Sequence, residues 1–360
     1  MPSALTATRP ALDLRDTPVV TIDLDIMEAN IRRLQAYCDE HNLANRPHIK
    51  THKIPAIARQ QLAAGAVGVT CQKLGEVAVM LDAGIRDIFL TYNILGEAKL
   101  DRLRALARRP GVRLSVACDN ATVARELSAA FADSSEPLRI IVECNTGMDR
   151  TGVQTPAEAL ELAQTVARLP GLRFEGLMTY PIMPDTRPFF KATLARLEGA
   201  RLPATVVSTG GTPAYPRAHE VPGVTEHRAG TYVFNDRATV AAGVATWDDC
   251  AMRIRVTVVS RPTPTRAIID AGSKTLSSDL LGQTGFGRIV EYPEAVITKL
   301  NEEHGYVDLT GCPSRPEVGE IVSVIPNHTC VVTNLHEQLV GVRGGRVEVV
   351  WDVAARGFVR

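Results

Sequence analysis

The chain has 360 residues, and its 40 basic side chains balance its 40 acidic ones, so the formal net charge is zero. This balance argues against a nucleic-acid-binding protein, which needs a basic face. Hydrophobic residues make up 45% of the chain and charged residues 22%, a composition typical of globular proteins that excludes a disordered chain. We expect two domains at this length, because single cores stop growing near ~250–300 residues.

Targeting and redox features of the sequence predict a cytoplasmic protein. No apolar run reaches the ~20 residues that a membrane-spanning helix needs. The opening residues, 1–10, lack the apolar segment typical of a secretory signal. The seven cysteines are odd in number and form no CxxC pair, which is typical of reduced thiols in the cytosol. We therefore expect no membrane and no nucleic acid among the partners.

Strand-like and helix-like segments alternate through residues 17–245. Apolar, β-rich runs predict strands at residues 18–22, 46–53, 68–72, 87–93, 113–119, 138–145, 174–180, 204–211 and 227–236. Amphipathic segments between them, such as residues 25–40, predict helices. The strands are continuous apolar runs, as in parallel sheets covered by helices. The pattern predicts a (β/α)8 TIM-type barrel. A doubly wound sheet is the alternative, although no GxGxxG motif follows the first strand.

The pattern changes near residue 245. From there on, strand-like segments follow one another without long helices between them, and turn residues separate them. This pattern predicts that residues 246–360 form a β-rich C-terminal domain, either a barrel or a sandwich. We expect the N-terminal tail, residues 1–16, to pack on this domain. Residues 17–245 would then form the barrel.

The predicted second strand brings a lysine to the place where barrel enzymes do their chemistry, the carboxyl ends of the strands. If residues 46–53 stay extended, His48, Lys50 and His52 point in one direction. A lysine is costly to bury as a cation, and a buried neutral amine is a good nucleophile. A solvated lysine at the strand end is the alternative. Zinc binding by the two histidines is disfavoured, because no glutamate lies between them and the context is a strand.

Two further strand ends carry glycine-rich loops. Arg150 lies between Gly147 and Gly152 after the sixth strand, and its guanidinium is always charged. Thr209, Gly210 and Gly211 end the eighth strand, where exposed backbone N–H groups suit a phosphate. Either loop could also be an ordinary surface turn.

The β-rich region contains His328 and Cys330, which can face the same side of an extended segment. Imidazole together with thiolate favours Zn²⁺ over Mg²⁺ or Ca²⁺. Two ligands are too few for a closed structural site, but water or substrate can complete a catalytic one. A structural histidine beside a buried cysteine is the alternative.

These segments together resemble one family over nearly the whole chain. Residues 46–53, RPHIKTHK, resemble the cofactor-lysine motif of the D-serine dehydratase and D-threonine aldolase group, which are fold-type III pyridoxal-phosphate enzymes related to alanine racemase. Further similar segments are residues 70–73, 147–153, 208–212, 228–236, 270–272, 303–305, 327–330 and 351–358. The lysine motif and the His-x-Cys element are the specific ones.

The resemblance implies a role for each candidate residue. Lys50 would bind pyridoxal 5'-phosphate covalently as a Schiff base and act as the base at the substrate α-carbon. Arg150 would face the pyridine nitrogen. The phosphate would be held by Thr209, Gly210, Gly211 and Tyr232. Gln72 and Tyr180 would line the ring and the substrate, and His328 and Cys330 would bind a divalent metal beside the cofactor.

The resemblance also implies the reaction. We expect a pyridoxal-phosphate- and metal-dependent lyase of D-β-hydroxy-α-amino acids that acts as a homodimer. Dehydration to a keto acid and ammonia is favoured, because His-x-Cys resembles the dehydratases, whereas typical aldolases resemble His-x-Asp there. Aldol cleavage to glycine and an aldehyde is the alternative, since residues 70–73 and 354–358 resemble the aldolases. Thiolate suggests zinc, and a carboxylate would suggest manganese.

Two other functions share parts of this pattern. A racemase of the alanine type would need a second base, a tyrosine from the β-domain, and residues 270–275 contain none. A non-catalytic pyridoxal-phosphate carrier has only the barrel, and the second domain with His328 and Cys330 argues against it.

Overall fold

The computed structural model describes residues 13–360, which divide into two compact units. The barrel unit comprises residues 28–233, 239–246 and 353–360. The β unit comprises residues 13–27, 234–238 and 247–352. Residues 1–12 of the N-terminal tail, which we expect to pack on the β-rich domain, lie outside the described residues.

Strands and helices alternate in the first two-thirds of the described chain, and strands dominate the last third. The strands are β1 (Val19–Asp23), β2 (Ala44–Asn45), β3 (Val69–Cys71), β4 (Asp87–Leu90), β5 (Arg113–Cys118), β6 (Leu138–Glu143), β7 (Leu172–Met178), β8 (Val206–Gly210), β9 (Glu226–Arg228), β10 (Met252–Thr263), β11 (Arg266–Ile269), β12 (Arg288–Ile289), β13 (Val296–Leu300), β14 (Gly305–Asp308), β15 (Ile321–Ile325), β16 (Gln338–Arg343) and β17 (Arg346–Asp352). The helices are α1 (Leu24–Glu40), α2 (Pro55–Ala63), α3 (Leu74–Asp82), α4 (Glu97–Ala107), α5 (Ala121–Phe131), α6 (Pro156–Arg168), α7 (Thr186–Gly199), α8 (Arg237–Ala241), α9 (Ser273–Leu276) and α10 (Thr329–Leu335).

The barrel unit is built on an eight-stranded parallel sheet with the order β2-β9-β8-β7-β6-β5-β4-β3. A parallel bridge between His48 and Thr70 joins the two ends of this sheet. The backbone N–H of Thr70 also donates to the carbonyl oxygen of Pro47, at 2.8 Å. The closed parallel sheet confirms the predicted (β/α)8 TIM-type barrel.

Apolar side chains fill both faces of the barrel strands. The larger cluster lies between strands and helices and includes Val116 and Leu177, both without exposed surface. A smaller cluster of Phe89, Ala117, Ile141 and Met178 fills the inside of the barrel. Burial on both faces explains why the strands are continuous apolar runs in the sequence.

The β unit contains a nine-stranded sheet with the order β11-β14-β13-β12-β15-β10-β1-β16-β17. Most neighbours are antiparallel, including β10 with β15 and β16 with β17. The predicted β-rich C-terminal domain is thereby confirmed. Of the helices in residues 13–360, none has both the length and the apolarity needed to cross a membrane.

Two expectations about single strands are wrong. The run at residues 18–22 is a strand, but β1 pairs with β10 and β16 of the β unit instead of opening the barrel. Its apolar pattern fits either sheet, so the pattern alone does not identify the partner. The extended segment predicted over residues 46–53 ends early, because the chain turns into a 3-10 helix at Ile49–Thr51. His48, Lys50 and His52 therefore do not alternate as strand residues.

Candidate active site

Lys50 lies on a tight turn just after β2, at the carboxyl end of the barrel sheet. The Nδ1 atom of His48 accepts a hydrogen bond from the Lys50 backbone N–H at 3.3 Å and caps the turn. The backbone N–H of Lys53 donates to the carbonyl oxygen of Ile49 at 2.7 Å and closes it. The Lys50 side chain is half-buried, and its Nζ lies 5.5 Å from the centroid of the Tyr180 ring.

Mostly polar and charged side chains from six strand ends surround the Lys50 amine in a small cavity. The residues that line it are His48, Lys50, Gln72, Thr91, Glu143, Arg150, Met178, Tyr180 and Arg228. The Arg150 guanidinium carbon lies 5.2 Å from the Tyr180 ring centroid. The fold therefore brings together Lys50, Gln72, Arg150 and Tyr180, four of the residues that we predict for the site.

The glycine turn after β8 lies against the same tyrosine. A Cβ atom built on Gly210 would lie 3.3 Å from Tyr180 Cδ2, and one on Gly211 would lie 3.4 Å from Tyr180 Cε2. Gly211 also has a φ of +104°, a backbone conformation that residues with a Cβ rarely adopt. The two glycines thus leave an open cradle beside the aromatic ring.

Thr209 and Tyr232 lie near this turn, but their hydroxyl groups have other partners. The Thr209 hydroxyl pairs with His227 Nδ1 at 2.9 Å. The Tyr232 hydroxyl accepts a hydrogen bond from Gln61 Nε2 at 2.9 Å, while its backbone N–H donates to Thr212 Oγ1 at 3.1 Å. The Tyr232 backbone, rather than its hydroxyl, is therefore the part beside the glycine turn.

His48 and Gln72 form a neutral wall of the cavity. Burial lowers the pKa of His48 well below its ordinary value, and the nearby charges of Lys50 and Arg228 lower it further. The imidazole is therefore uncharged at neutral pH. Since its Nδ1 accepts from the Lys50 backbone, its Nε2 carries the proton and donates to Gln72 Oε1 at 3.1 Å.

Arg228 is a buried cation in the cavity to which the sequence analysis gave no role. Its guanidinium donates to Ser208 Oγ and, at 3.0 Å, to the carbonyl oxygen of Thr179. Burial lowers the pKa of Arg228 to about 10, although the carboxylates of Glu226 and Glu143 favour its charged form. Arg150, in contrast, is exposed. The signal for Arg228 in the sequence is its place at the end of β9, two residues before Gly230, within the family-like segment 228–236.

Three buried histidines of the barrel unit make its stability sensitive to acid. Burial lowers the pKa of His227 to about 3 and that of His52 to about 4, and His48 shifts in the same direction. Between pH 6.5 and these values the unfolded chain binds protons that the folded chain does not. The contribution of these neutral histidines to the free energy of unfolding is therefore fully present above the unfolded pKa of about 6.5, and it is lost as the pH falls towards the folded pKa values.

We expect His227→Asn to remove one proton from this pH dependence. The loss of unfolding free energy between pH 7 and pH 5 should be about 2 kcal/mol smaller in the variant than in the wild type. Urea unfolding at the two pH values measures it. Because each protein is compared with itself at two pH values, any pH-independent stability cost of losing the imidazole cancels. The Nε2 of this imidazole has no hydrogen-bond partner among residues 13–360. Equal pH dependence in the two proteins would contradict the assignment of a neutral His227.

His328 and Cys330 lie together in the β unit, at the start of α10. The Nδ1 atom of His328 pairs with Asp279 Oδ2 at 2.8 Å. Burial disfavours the charged imidazole, but the hydrogen bonds to Cys330 and Asp279 outweigh it and raise the pKa of His328 to about 9. Asp279 was missed in the sequence, because 48 intervening residues separate it from His328 and no motif connects them.

This pair fits a metal site with few protein ligands. A carboxylate on Nδ1 orients an imidazole so that Nε2 faces a metal, which is a common arrangement around protein-bound metals. Cys330 is half-buried and adds a thiol next to it. Within residues 13–360, no group of three or more His, Cys, Asp or Glu side chains is arranged to hold a metal. The remaining ligands would have to be water or substrate.

The barrel cavity fits pyridoxal phosphate. An amine, a tyrosine ring and two arginines face one space, and the glycine cradle beside Tyr180 has room that a Cβ would fill. Gly230 packs closely against the Lys50 turn, since a Cβ there would lie 2.8 Å from Thr51 Oγ1. These are a carbonyl-reactive lysine, a ring-stacking surface and open backbone for a phosphate.

Comparison with known proteins supports both halves of this description. Residues 22–238 match the family model of the alanine racemase N-terminal domain, and residues 251–342 match that of the putative serine dehydratase domain. The chain is 35% identical to a D-threonine aldolase from Arthrobacter sp., over 96% of this chain and 94% of that protein.

Solved structures agree with the sequence relatives. The crystal structure of a D-threonine aldolase from Filomicrobium marinum superposes with a TM-score of 0.87 at 33% identity, covering 96% of this chain and 97% of that one. A metal-free form of a D-threo-3-hydroxyaspartate dehydratase variant, with one cysteine replaced by alanine, has a TM-score of 0.84 at 29% identity and covers 94% and 97%. In another variant of that dehydratase, a histidine two positions before this cysteine is replaced by alanine.

These matches span both predicted domains and confirm the resemblance seen in the sequence. The chain belongs to the fold-type III pyridoxal-phosphate enzymes, in the group of lyases that contains D-threonine aldolase and D-threo-3-hydroxyaspartate dehydratase.

Proposed function

We propose that this protein is a pyridoxal-phosphate- and divalent-metal-dependent lyase that eliminates water from D-β-hydroxy-α-amino acids and gives a keto acid and ammonia. The observation that carries the proposal is the position of the Lys50 amine, 5.5 Å from the Tyr180 ring in a cavity that Arg150 and Arg228 also line. An amine in this setting is placed to bind the cofactor and to remove a proton from its substrate.

The residues of the barrel unit would hold the cofactor as follows. Lys50 would bind it covalently, Gly210 and Gly211 would hold the phosphate with their backbone, and Tyr180 and Gln72 would line the ring. Thr209 and the backbone of Tyr232 would support the glycine turn. When bound, pyridoxal phosphate delocalises the negative charge that develops on the substrate α-carbon.

The side chains of the cavity define what the protein itself contributes. The Lys50 amine would take the α-proton of the substrate and return it to solvent. Because the Nδ1 lone pair of His48 accepts from the Lys50 backbone N–H and its Nε2 carries the proton donated to Gln72, His48 would not compete with Lys50 as a second base. The cavity also holds the cations Arg150 and Arg228, which would attract the anionic groups of the cofactor and the substrate.

Two arginines compete for contact with the cofactor ring. The family resemblance assigns the pyridine nitrogen to Arg150, and that assignment stays a prediction. Burial favours Arg228 for this position, because it is enclosed and held by Ser208 and Thr179, whereas Arg150 is exposed at the mouth. Arg150 would then face the substrate carboxylate.

We expect Arg228→Lys to weaken pyridoxal-phosphate binding by at least ~10-fold, because a lysine cannot reproduce the forked contacts of a buried guanidinium. Arg150→Lys should raise the KM for the amino acid and change cofactor affinity less. Titration of the apoprotein with pyridoxal phosphate, followed by absorbance, gives the cofactor affinity, and steady-state kinetics gives the KM. If Arg150→Lys weakens cofactor binding more than Arg228→Lys does, the residue that contacts the pyridine nitrogen is Arg150.

We propose that the divalent metal binds at His328 and Cys330, and that it is zinc. The dehydratase variants support this, because a histidine and a cysteine with the same spacing were substituted there, and the cysteine variant is described in a metal-free form. A soft thiolate beside an imidazole prefers zinc to manganese. A bound metal supplies Lewis-acid polarisation of a hydroxyl oxygen.

Aldol cleavage to glycine and an aldehyde is the second candidate reaction. The 35% identity to a D-threonine aldolase over nearly the whole chain favours it. Both reactions start from the same substrate class and the same lysine. They differ in whether the α-proton or the hydroxyl proton is removed.

Product analysis tests the proposal. The purified protein is incubated with pyridoxal phosphate and either Zn²⁺ or Mn²⁺, together with D-serine, D-threonine, D-phenylserine or D-threo-3-hydroxyaspartate, and with the L-isomers as controls. Keto acid and ammonia would support dehydration, and glycine with an aldehyde would support aldol cleavage. A cofactor-loaded protein that turns over none of these would contradict the proposed substrate class.

Two further properties are part of the proposal. We expect a homodimer, which sedimentation of the active protein would detect, and a cytoplasmic location. A fully active monomer would contradict the first.

A further inference from the structure

Glu76 is a buried carboxylate beside the cavity that the proposed chemistry does not use. Its side chain is 1% exposed, at the start of α3. Its Oε2 accepts hydrogen bonds from the backbone N–H of Gln72 at 2.6 Å and from that of Lys73 at 3.3 Å. Glu76 therefore fixes the backbone of the loop that carries Gln72 into the cavity.

The other carboxylate oxygen of Glu76 reaches the turn that carries Lys50. Its Oε1 lies 3.4 Å from Lys53 Nζ, and the Lys53 side chain is 8% exposed. The backbone of Lys53 closes the Lys50 turn and has a φ of +56°, a conformation that costs a lysine conformational energy. One buried ion pair thus connects the Lys50 turn to the Gln72 loop.

The segment 353–360, which belongs to the same unit, packs against this ion pair and hydrogen-bonds to it. Lys53 Nζ donates to the carbonyl oxygen of Ala355 at 3.3 Å, and the Ala355 N–H donates back to the Lys53 carbonyl oxygen at 3.3 Å. Further along, the backbone N–H of Gly75 donates to the Arg360 carbonyl oxygen at 3.2 Å. A Cβ at Gly75 would lie only 2.7 Å from Phe358 Cβ, so the segment packs directly on the start of α3.

We propose that Glu76, Lys53 and the C-terminal segment act together as positioning residues that set the distance between Lys50 and Gln72. The inference rests on the proposed function, since that function gives the two residues their roles. The ion pair holds Lys53 in its left-handed conformation, and the C-terminal carbonyl of Ala355 satisfies a further donor of the buried ammonium. Without this connection, the contacts of His48 with Thr70 and Gln72 alone would hold the Lys50 turn against the Gln72 loop, and the two segments could shift further apart.

The first test is Glu76→Gln, which keeps the shape and an acceptor for the Gln72 N–H but removes the charge opposite Lys53. We expect kcat to fall about 10- to 100-fold, because small misplacement of a reacting group has effects of this size. The KM for the amino acid should change less than about threefold, since Arg150 and Arg228 are untouched. The affinity of the apoprotein for pyridoxal phosphate, read from absorbance, should fall as well.

Asp82→Asn is the matched control. Asp82 ends α3 and forms an exposed ion pair with Arg109 at 2.6 Å, so it removes a charge from the same helix away from the cavity. It should leave kcat, KM and cofactor affinity unchanged. If the wild type binds cofactor and turns over substrate but Glu76→Gln behaves like Asp82→Asn, the inference about Glu76 is overturned. The proposed function would still stand.

Two more variants separate positioning from stability, since a buried unpaired lysine can itself destabilise the fold. The double variant Lys53→Met with Glu76→Gln removes both charges. If the double variant regains thermal stability while its kcat stays reduced, the result supports a positioning role. If it regains both kcat and thermal stability, the result overturns that role. Removal of residues 358–360 leaves the ion pair intact and should reduce kcat by a smaller factor. A wild-type protein that binds no cofactor would instead overturn the proposed function, and the inference with it.

Discussion

Replacing Lys50 with alanine should abolish covalently bound pyridoxal phosphate and lower turnover of D-β-hydroxy amino acids by at least ~10³-fold. Among residues 13–360, Lys50 is the only lysine that lines the cavity, and the variant removes it. It removes at once the attachment point of the cofactor and the base for the α-proton. The tight turn should remain, because its hydrogen bonds come from the backbone and from His48 rather than from the Lys50 side chain.

Absorbance of the purified protein with added cofactor measures the first effect, and product formation measures the second. Lys191→Ala is a suitable control, since Lys191 is an exposed lysine on α7, outside the cavity. A Lys50→Arg variant keeps the positive charge without a carbonyl-reactive amine and should be equally inactive. Full turnover in Lys50→Ala would refute the lysine assignment and, with it, the proposed mechanism.

The barrel could be predicted because its strands have a strong local signal. Segments such as Leu138–Glu143 and Leu172–Met178 are mostly apolar and almost entirely buried, because helices cover one face and the barrel interior covers the other. The pairing of β1 with β10 and β16 could not be predicted, since Val19–Asp23 would satisfy either sheet and its partners lie more than 200 residues away. Local pattern identifies a strand, but long-range packing selects its sheet.

The cavity was predicted in part, and the misses share a cause. Lys50, Arg150 and the glycines at 210 and 211 stand out in the sequence, because each belongs to a short motif, a lysine flanked by histidines or a glycine-rich loop. Arg228 and Glu76 do not stand out, since charged residues near a helix or strand end are common and are usually exposed. Only the fold shows that both are buried, Arg228 by the barrel interior and Glu76 by the Lys53 turn.

The turn at Ile49–Thr51 shows a further limit of pattern reading. Residues 46–53, RPHIKTHK, predict a short strand beside a proline. The structure turns there because the His48 side chain caps the Lys50 N–H and the Ile49 carbonyl accepts from both His52 and Lys53. Side-chain capping of this kind competes with strand pairing, and the pattern of polar and apolar residues does not predict it.

The second large effect is expected at the proposed metal ligands of the β unit, His328 and Cys330. His328→Ala should abolish stoichiometric metal binding and lower turnover about 10²-fold or more, because a Lewis acid contributes several kcal/mol of charge stabilisation. Cys330→Asp should keep a metal, since a carboxylate replaces the thiolate, but should shift the preference from zinc towards manganese. Metal content of the purified variants, measured by mass spectrometry, gives the first readout, and the ratio of keto acid to glycine gives the second.

The product ratio decides what Cys330 does. A thiolate and a carboxylate leave different residual charge on a bound metal, and this charge sets how readily a hydroxyl on it loses its proton. Cys330→Asp should therefore raise the share of aldol cleavage relative to dehydration. Cys312→Ser, which changes another thiol of the β unit, should leave the ratio as it is. If Cys330→Asp keeps its metal and its product ratio also stays unchanged, the choice between the two reactions lies with the side chains of the barrel cavity and not with the metal ligand.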